Sequence, residues 1–340
     1  MQTLRNLIAY LKRHPGYIVH LFCDISKLLW YKCTGKKILV ITTGSGGIGD
    51  YLWIRSYYPL IHQKGYKIIL IAMAHWCEIV ESFDSDDIDI TRYFESCLSP
   101  KKLETSFFKI FTADVYLNFR QKSIADFVKY KTTYNDNWLD NDNMFYEEKN
   151  NGTISRFLKL PEQFKHHLPI ITPSSTTTLL LKHPYVIVVE GGNTQGKMTD
   201  AQLYAIISHL YTSGYYILFN GDSQRIKRII DVQHRKMIIN GSVFSFPQYT
   251  YLVKHASFVV TVNTSIYHFA VQLKKPRVVI SCNEYSTLQL YDEQQIIVFN
   301  TKLQNAFEND SLPDYIVDSS ISLADIEIDR IITAIDNVRK

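Results

Sequence analysis

Lys37-Ile38-Leu39-Val40-Ile41-Thr42-Thr43-Gly44-Ser45-Gly46-Gly47-Ile48-Gly49-Asp50 is the stretch on which the fold turns. Lys37 to Thr42 has the continuous apolar, β-branched character of a short strand buried on both faces. The glycines interrupt that pattern, and a helical pattern follows from about Asp50 to Gln63. Gly65 closes the helix, and Tyr66 to Ala72 reads as a second strand. Strand, glycine-rich turn, helix and strand make a βαβ unit, which demands a parallel sheet and hence an α/β fold.

The same alternation resumes downstream. Residues 112–118 read as a further strand, and 131–155 as a polar, Asn- and Asp-rich loop. Pro169, Pro173 and the Ser/Thr run at 174–178 read as a linker between domains. Beyond it, strands are expected at 186–189, 216–219, 236–239, 258–262 and 277–280. Helices are expected at 200–213, 222–231, 248–255 and 265–273. Thr199-Asp200-Ala201-Gln202 has the form of a capping box at the start of the first of these. The expected organisation is a basic N-terminal segment (1–36), two doubly wound domains (37–173 and 174–320) and a C-terminal helix (321–340) that returns to the first domain.

With 340 residues, the chain is long enough for two domains that each bury a core, and 46% hydrophobic against 21% charged residues is an ordinary globular balance. The net charge of +4 is too mild to point to nucleic acid. It is unevenly placed. Residues 1–37 hold seven Lys or Arg against one acid, Asp24, around apolar stripes at helical spacing (Leu4, Leu7, Ile8 and Leu11, then Ile18, Phe22, Ile25 and Leu29), which Pro15-Gly16 separates. Basic amphipathic helices of this kind either pack on the domain behind them or lie on an anionic membrane surface. Five scattered cysteines with no C-x-x-C pair argue against a disulfide framework or a zinc site and for a reducing, cytoplasmic setting. No run reaches the length of a membrane-spanning helix, and the N-terminus lacks the form of a signal peptide.

Three loops carry the candidate chemistry. In the first, Gly44, Gly46 and Gly49 satisfy G-x-G-x-x-G between a strand and a helix, the place where a dinucleotide pyrophosphate would sit. The second strand, however, ends Leu70-Ile71-Ala72-Met73-Ala74 without the acid that would hold a ribose. Asp50 at the helix start would also repel a pyrophosphate. The same carboxylate is suited to take a proton from a neutral hydroxyl, with Gly46, Gly47 and Gly49 letting a substrate approach the backbone; alternatively it caps the helix. The second loop, Asn263-Thr264-Ser265, opens a helix after a β-branched strand, with His268 one turn in. It is either a phosphate seat or an ordinary helix cap. The third is Glu190-Gly191-Gly192-Asn193-Thr194-Gln195-Gly196-Lys197, a donor-rich turn whose lysine can reach a diphosphate. It is not a P-loop, because the upstream glycine is missing and Met198 stands where Ser or Thr is required.

Together these residues resemble the bacterial heptosyltransferases, glycosyltransferase family 9. The match lies in Gly49-Asp50-Tyr51-Leu52 after the first strand, in Phe258 to Val279 (FVVTVNTSIYHFAVQLKKPRVV), and in the strand and loop 216–222 (YILFNGD). The resemblance implies a GT-B fold, two Rossmann-like domains facing a central cleft, and inverting, metal-independent sugar transfer with no cofactor. The donor would be a nucleotide-sugar, and the acceptor a lipopolysaccharide core or another surface glycan or glycolipid at the cytoplasmic face of the inner membrane. By position, Asp50 would be the general base. Gly192, Asn193, Thr194 and Lys197 would meet the donor diphosphate, as would Asn263, Thr264, Ser265 and His268. Phe246 would lie near the nucleotide base. Asn263 stands where the family has an acid, and Ser265 where it has a glycine, which leaves the donor sugar open.

Three other readings compete. Asp84-Ser85-Asp86 and Asp87-Ile88-Asp89 match the D-x-D that holds a metal in the other major glycosyltransferase fold, but short acidic runs are usually solvated loops. A nucleotide-dependent oxidoreductase would use the glycine fingerprint. A catalytically silent sugar- or nucleotide-binding protein would use the loops without the chemistry.

Overall fold

The computed structural model describes residues 15–43, 48–55, 57–83, 87–94, 115–119, 183–192, 196–282, 294–299 and 322–339. The chain forms two compact units, each built on its own parallel sheet. The expected 131–155 loop and the 169–178 linker lie outside the described residues.

The first unit gathers residues 1–45, 58–77 and 84–142. Its sheet has the order β3-β2-β1-β4, with β1 Lys37–Thr43, β2 Tyr66–Met73, β3 Ile90–Phe94 and β4 Val115–Phe119. Helix α1, Pro15–Cys33, lies against it. Pro15 opens this helix, as its fixed φ and missing N–H suit the first helical turn; the stripe expected before it lies outside the described residues. Leu28 and Tyr31 join Ile38, Val40, Ile69, Ile71 and Ile90 in one apolar cluster, so the packing alternative for the N-terminal segment holds at this end of the helix. Asp89 secures the arrangement. Its carboxylate accepts from the Tyr31 hydroxyl (2.9 Å) and the Ile68 N–H (2.9 Å) and pairs with Lys67 (3.1 Å), while its carbonyl accepts from Lys27 Nζ (2.5 Å). One carboxylate of the D-x-D reading is thus engaged in holding a helix to a strand. No group of three or more His, Cys, Asp or Glu side chains among the described residues is arranged to hold a metal.

The second unit gathers residues 46–57, 78–83 and 143–340. Its six-stranded sheet has the order β12-β11-β10-β5-β8-β9, all parallel: β5 Tyr185–Val189, β8 Tyr216–Asn220, β9 Ile238–Asn240, β10 Val259–Val262, β11 Arg277–Ile280 and β12 Gln295–Val298. A small antiparallel pair, β6 Gly191–Gly192 and β7 Gly196–Lys197, follows β5. The burial of β5, β10 and β11 along their whole length explains their unbroken apolar text.

The single helix expected from Asp50 to Gln63 is two, α2 Ile48–Arg55 and α3 Tyr58–Gln63. Pro59 lacks the N–H that a continuous helix would need and clashes with the preceding turn, so it sits in the first turn of α3 instead. Helix α4 is Cys77–Phe83. Helix α5, Asp200–Thr212, starts at the expected capping box: Thr199 Oγ1 accepts from Gln202 N (3.1 Å) and Gln202 Oε1 from Thr199 N (2.8 Å). Gly214, at φ +81°, supplies the left-handed residue that ends it. The expected 222–231 helix ends at Ile229 in α6, Ser223–Ile229, and Asp231 starts a separate short helix, α7, Val232–Arg235. Helix α8 is Phe246–His255 and α9 is Ser265–Gln272. The last helix is α10, Ile328–Val338. Its buried Ile331, Ala334 and Ile335 complete the core of the second unit against β11, β12 and α5. No helix among the described residues is long and apolar enough to cross a membrane.

Candidate functional site

Parallel sheets bind ligands beyond the carboxyl ends of their strands, at the point where strand order reverses. In the first unit the chain runs outward from β1 to β2 and β3, then crosses to β4 on the other flank of β1. β1 ends at Thr43, at this reversal. In the second unit the chain runs from β5 to β8 and β9, then crosses to β10 on the other flank of β5. The two loops at that reversal are Glu190–Lys197 after β5 and Asn263–Thr264 after β10. The two loops of the second unit singled out in the sequence therefore begin at the switch point of its sheet.

The two loops of the second unit touch. A Cβ placed on Gly192 would lie 2.8 Å from Thr264 Cγ2, and one on Gly191 would lie 2.3 Å from the Gly196 carbonyl oxygen. Only glycines allow the hairpin to close on itself and against the 263–264 turn. Thr264 holds the N-cap position of α9 in extended conformation (φ −140°), yet its side chain makes no capping hydrogen bond to that helix; its hydroxyl lies 3.3 Å from the Thr261 hydroxyl. Ser265 is the first helical residue, and Asn263 and Ser265 are partly exposed.

Glu190 had no assigned role, and it organises the loop. Its side chain is 4% exposed and pairs with Lys197 Nζ at 2.6 Å and with Arg225 at 3.3 Å, while accepting from the Asp222 N–H at 3.1 Å. Arg225 also donates to the Met198 carbonyl (2.6 Å) and to Asp200 (2.7 Å). Lys197 remains 59% exposed. Its ammonium is thus fixed at the mouth of the loop by a buried carboxylate, not left on a free four-carbon arm. Backbone N–H groups of Arg225 and Gln224 hold the Asp222 carboxyl below its ordinary range.

His268 lies one turn into α9 with Nδ1 buried. Burial, helped by the nearby Arg277 charge, pushes its pKa down to about 4 from 6.5. At neutral pH it offers hydrogen bonds and no positive charge. Phe246 begins α8. Its ring packs on Phe269 with centroids 4.8 Å apart, and its N–H donates to Glu78 at 3.0 Å.

Gly49 and Asp50 are the second and third residues of α2. This helix packs on α9 within the second unit. Gln272, 1% exposed, accepts from Arg55 (3.1 Å) and donates to the Leu52 carbonyl (3.2 Å). The helix that carries Asp50 and the one opened by Ser265 are therefore joined by buried polar contacts between residues 217 and 220 positions apart in sequence. Gly46, Gly47, Asn193 and Thr194 lie outside the described residues. Glu190, Arg225, Arg55 and Gln272 escaped the sequence reading; the one available signal was an acid placed directly at the end of a fully apolar strand.

The architecture is that of the GT-B glycosyltransferases. Over 89% of its length the chain superposes on 98% of the E. coli ADP-heptose LPS heptosyltransferase II, with a TM-score of 0.63 at 14% identity. It likewise matches the glycosyl transferase family 9 structure from Veillonella parvula (89% of this chain, 97% of that one, TM-score 0.61, 10% identity) and E. coli heptosyltransferase WaaC with ADP (88%, 99%, 0.55, 13%). No family model matches the sequence, and no curated protein matches it. The family-9-like fold expected from the motifs is the fold the chain has.

Proposed function

We propose that the chain is an inverting, metal-independent glycosyltransferase. It moves a sugar, a heptose or a relative, from a nucleoside-diphosphate donor to a lipopolysaccharide-core or other surface-glycan acceptor. The observation that carries this reading is the closure of the Gly191–Lys197 hairpin, with its Glu190-held lysine, against the Thr264 turn at the switch point of a heptosyltransferase-like fold.

In this reaction the acceptor hydroxyl attacks the anomeric carbon and Asp50 takes its proton. The bond from that carbon to the diphosphate breaks, and the electron pair leaves with the phosphate oxygen. Lys197 and the backbone N–H groups at 264–265 receive the charge that develops on the leaving group, and being fixed beforehand they do so without reorganisation. His268, neutral, contributes a hydrogen bond. Heptose on ADP is what two of the matched transferases act on or hold in part, which makes ADP-heptose the first donor to try.

A thermal-shift screen of nucleotide-sugars, with free nucleoside diphosphates as controls, identifies the donor. Asp50→Asn should then lower turnover by orders of magnitude and leave diphosphate affinity nearly intact. Normal turnover in that variant removes Asp50 from the mechanism. Turnover lost on adding a chelator refutes metal independence. Nucleotide binding with no sugar nucleotide consumed, by the unmodified chain with any acceptor, refutes transfer itself.

A further inference from the structure

We propose that Gln272 and Arg55 are positioning residues for sugar transfer: their buried contacts set the axial register between the helix that carries Asp50 and the helix whose first turn receives the leaving diphosphate. The inference rests on the transfer reading given above.

Both helices are short. With eight residues each, α2 and α9 are about 12 Å long. Apolar burial supplies their cohesion, since Tyr51 and Leu52 of α2 and Phe269 and Ala270 of α9 are at most 1% exposed. Such burial is non-directional and tolerates a slide of one helix along the other. The two hydrogen bonds do not. Gln272 Nε2 donates to the Leu52 carbonyl at 3.2 Å. Leu52 begins the last four residues of α2, whose carbonyls have no partner inside the helix. A main-chain carbonyl moves only with its helix, so this bond fixes α2 along its own axis. Gln272 Oε1 accepts from Arg55 Nη1 at 3.1 Å, and that second bond orients the amide.

The pair stands where water does not reach, with Gln272 1% and Arg55 3% exposed. Two apolar side chains would hold the helices together without the cost of stripping water from an amide and a guanidinium. The polar pair adds direction to that cohesion. Asp50 lies two residues before Leu52, about 3 Å along α2, and Ser265 seven residues before Gln272, about 10 Å along α9. Rigid helices carry the register to both ends. A slide of α2 on α9 therefore moves Asp50 away from the diphosphate seat by the same distance, and a misplacement of about 1 Å costs on the order of a hundredfold in rate.

The test uses the full chain, with ADP as the binding probe, ADP-heptose as the donor and lipopolysaccharide core as the acceptor. In Gln272→Leu, kcat should fall by about ten- to a hundredfold, while KM for the donor and Kd for ADP, per folded molecule, stay within about twofold. Gln272→Glu keeps the acceptor for Arg55 and should retain more of kcat. Arg55→Met with Gln272→Leu removes both polar side chains and should recover part of the melting temperature lost in Gln272→Leu, yet kcat should stay low. A pair that serves stability alone gives the opposite result, with kcat returning as the melt returns. The proposal is overturned if kcat is unchanged in Gln272→Leu, if the loss lies in ADP affinity, or if kcat tracks the melting temperature through the series. Low turnover of Asp50→Asn in the same assays would leave the transfer reading standing in each of those cases. If the unmodified chain consumes no nucleotide-sugar, the transfer reading falls and this proposal with it.

Discussion

Gly192→Ala tests whether the hairpin and the 263–264 turn form one site. The added Cβ would lie 2.8 Å from Thr264 Cγ2, where an unstrained carbon pair sits at roughly 3.5–4.0 Å. The next atoms, the Asn263 carbonyl oxygen at 3.4 Å and Val262 Cγ2 at 3.6 Å, are ordinary contacts. One methyl group therefore carries the whole conflict. Overlap of this size in a packed site destabilises by about 1–3 kcal/mol, slightly offset by the smaller entropy of an unfolded chain with alanine. Thr264→Ser removes that methyl and keeps the hydroxyl. Alone it should cost about 0.5–1.5 kcal/mol, but in the double variant the conflict disappears. The cycle of four proteins should show favourable coupling of about 1–2 kcal/mol in urea unfolding, or roughly 2–8 °C in midpoint. Nucleoside diphosphate binding should follow the same pattern, weakened in Gly192→Ala and recovered in the double variant. Additivity of the two substitutions to within about 0.5 kcal/mol would falsify the contact and, with it, the joining of the two loops.

Three further outcomes follow from other contacts. Glu190→Gln keeps the shape but removes the charge that holds Lys197 and Arg225, so we expect a loss of about 1–3 kcal/mol and a changed salt dependence of diphosphate binding; unchanged values in both urea unfolding and calorimetric titration would contradict its role. His268 has a folded pKa of about 4 against 6.5, so between these values the unfolded chain binds more protons. Its contribution is fully present above about pH 6.5 and falls as pH drops, by about 3 kcal/mol once below about 4; His268→Gln should flatten this slope, and an identical slope in both proteins would remove His268 as its source. Gln272→Leu leaves buried Arg55 without this acceptor and should cost about 2–4 kcal/mol, with Gln272→Glu closer to the parent; equal stability of parent and Gln272→Leu would show the bond to be idle.

Local text and three-dimensional arrangement were legible to different degrees. Ile38–Ile41 of β1 and Tyr185–Val189 are buried on both faces, and that burial writes itself as an uninterrupted apolar run. The start of α5 was visible because a capping box is chemistry within four residues. The short edge strand β12 and the Gly191–Lys197 hairpin were not anticipated, since their few residues carry no period to detect. The Pro59 break had a sequence signal, outweighed by the apolar pattern on either side. Within the site, glycines and the Thr264 turn announced themselves by position after strands. Glu190 did not, because an acid at a strand end looks like any solvated loop residue until Arg225, a helix and a strand away, is brought beside it. Arg55 and Gln272 lie 217 positions apart and carry no local signal of one another; only folding makes them neighbours.

The clasp at Asp89 bears on how the protein should be handled. Helix α1 shields Ile38, Val40, Ile69, Ile71 and Ile90, and Tyr31, Ile68 and Lys67 converge on the one carboxylate that holds it there. An expression variant shortened to begin at Lys36 would bare that sheet face to solvent and invite precipitation. The insolubility would then reflect a lost lining of the sheet. Single-residue changes on the outer side of the helix keep that lining in place.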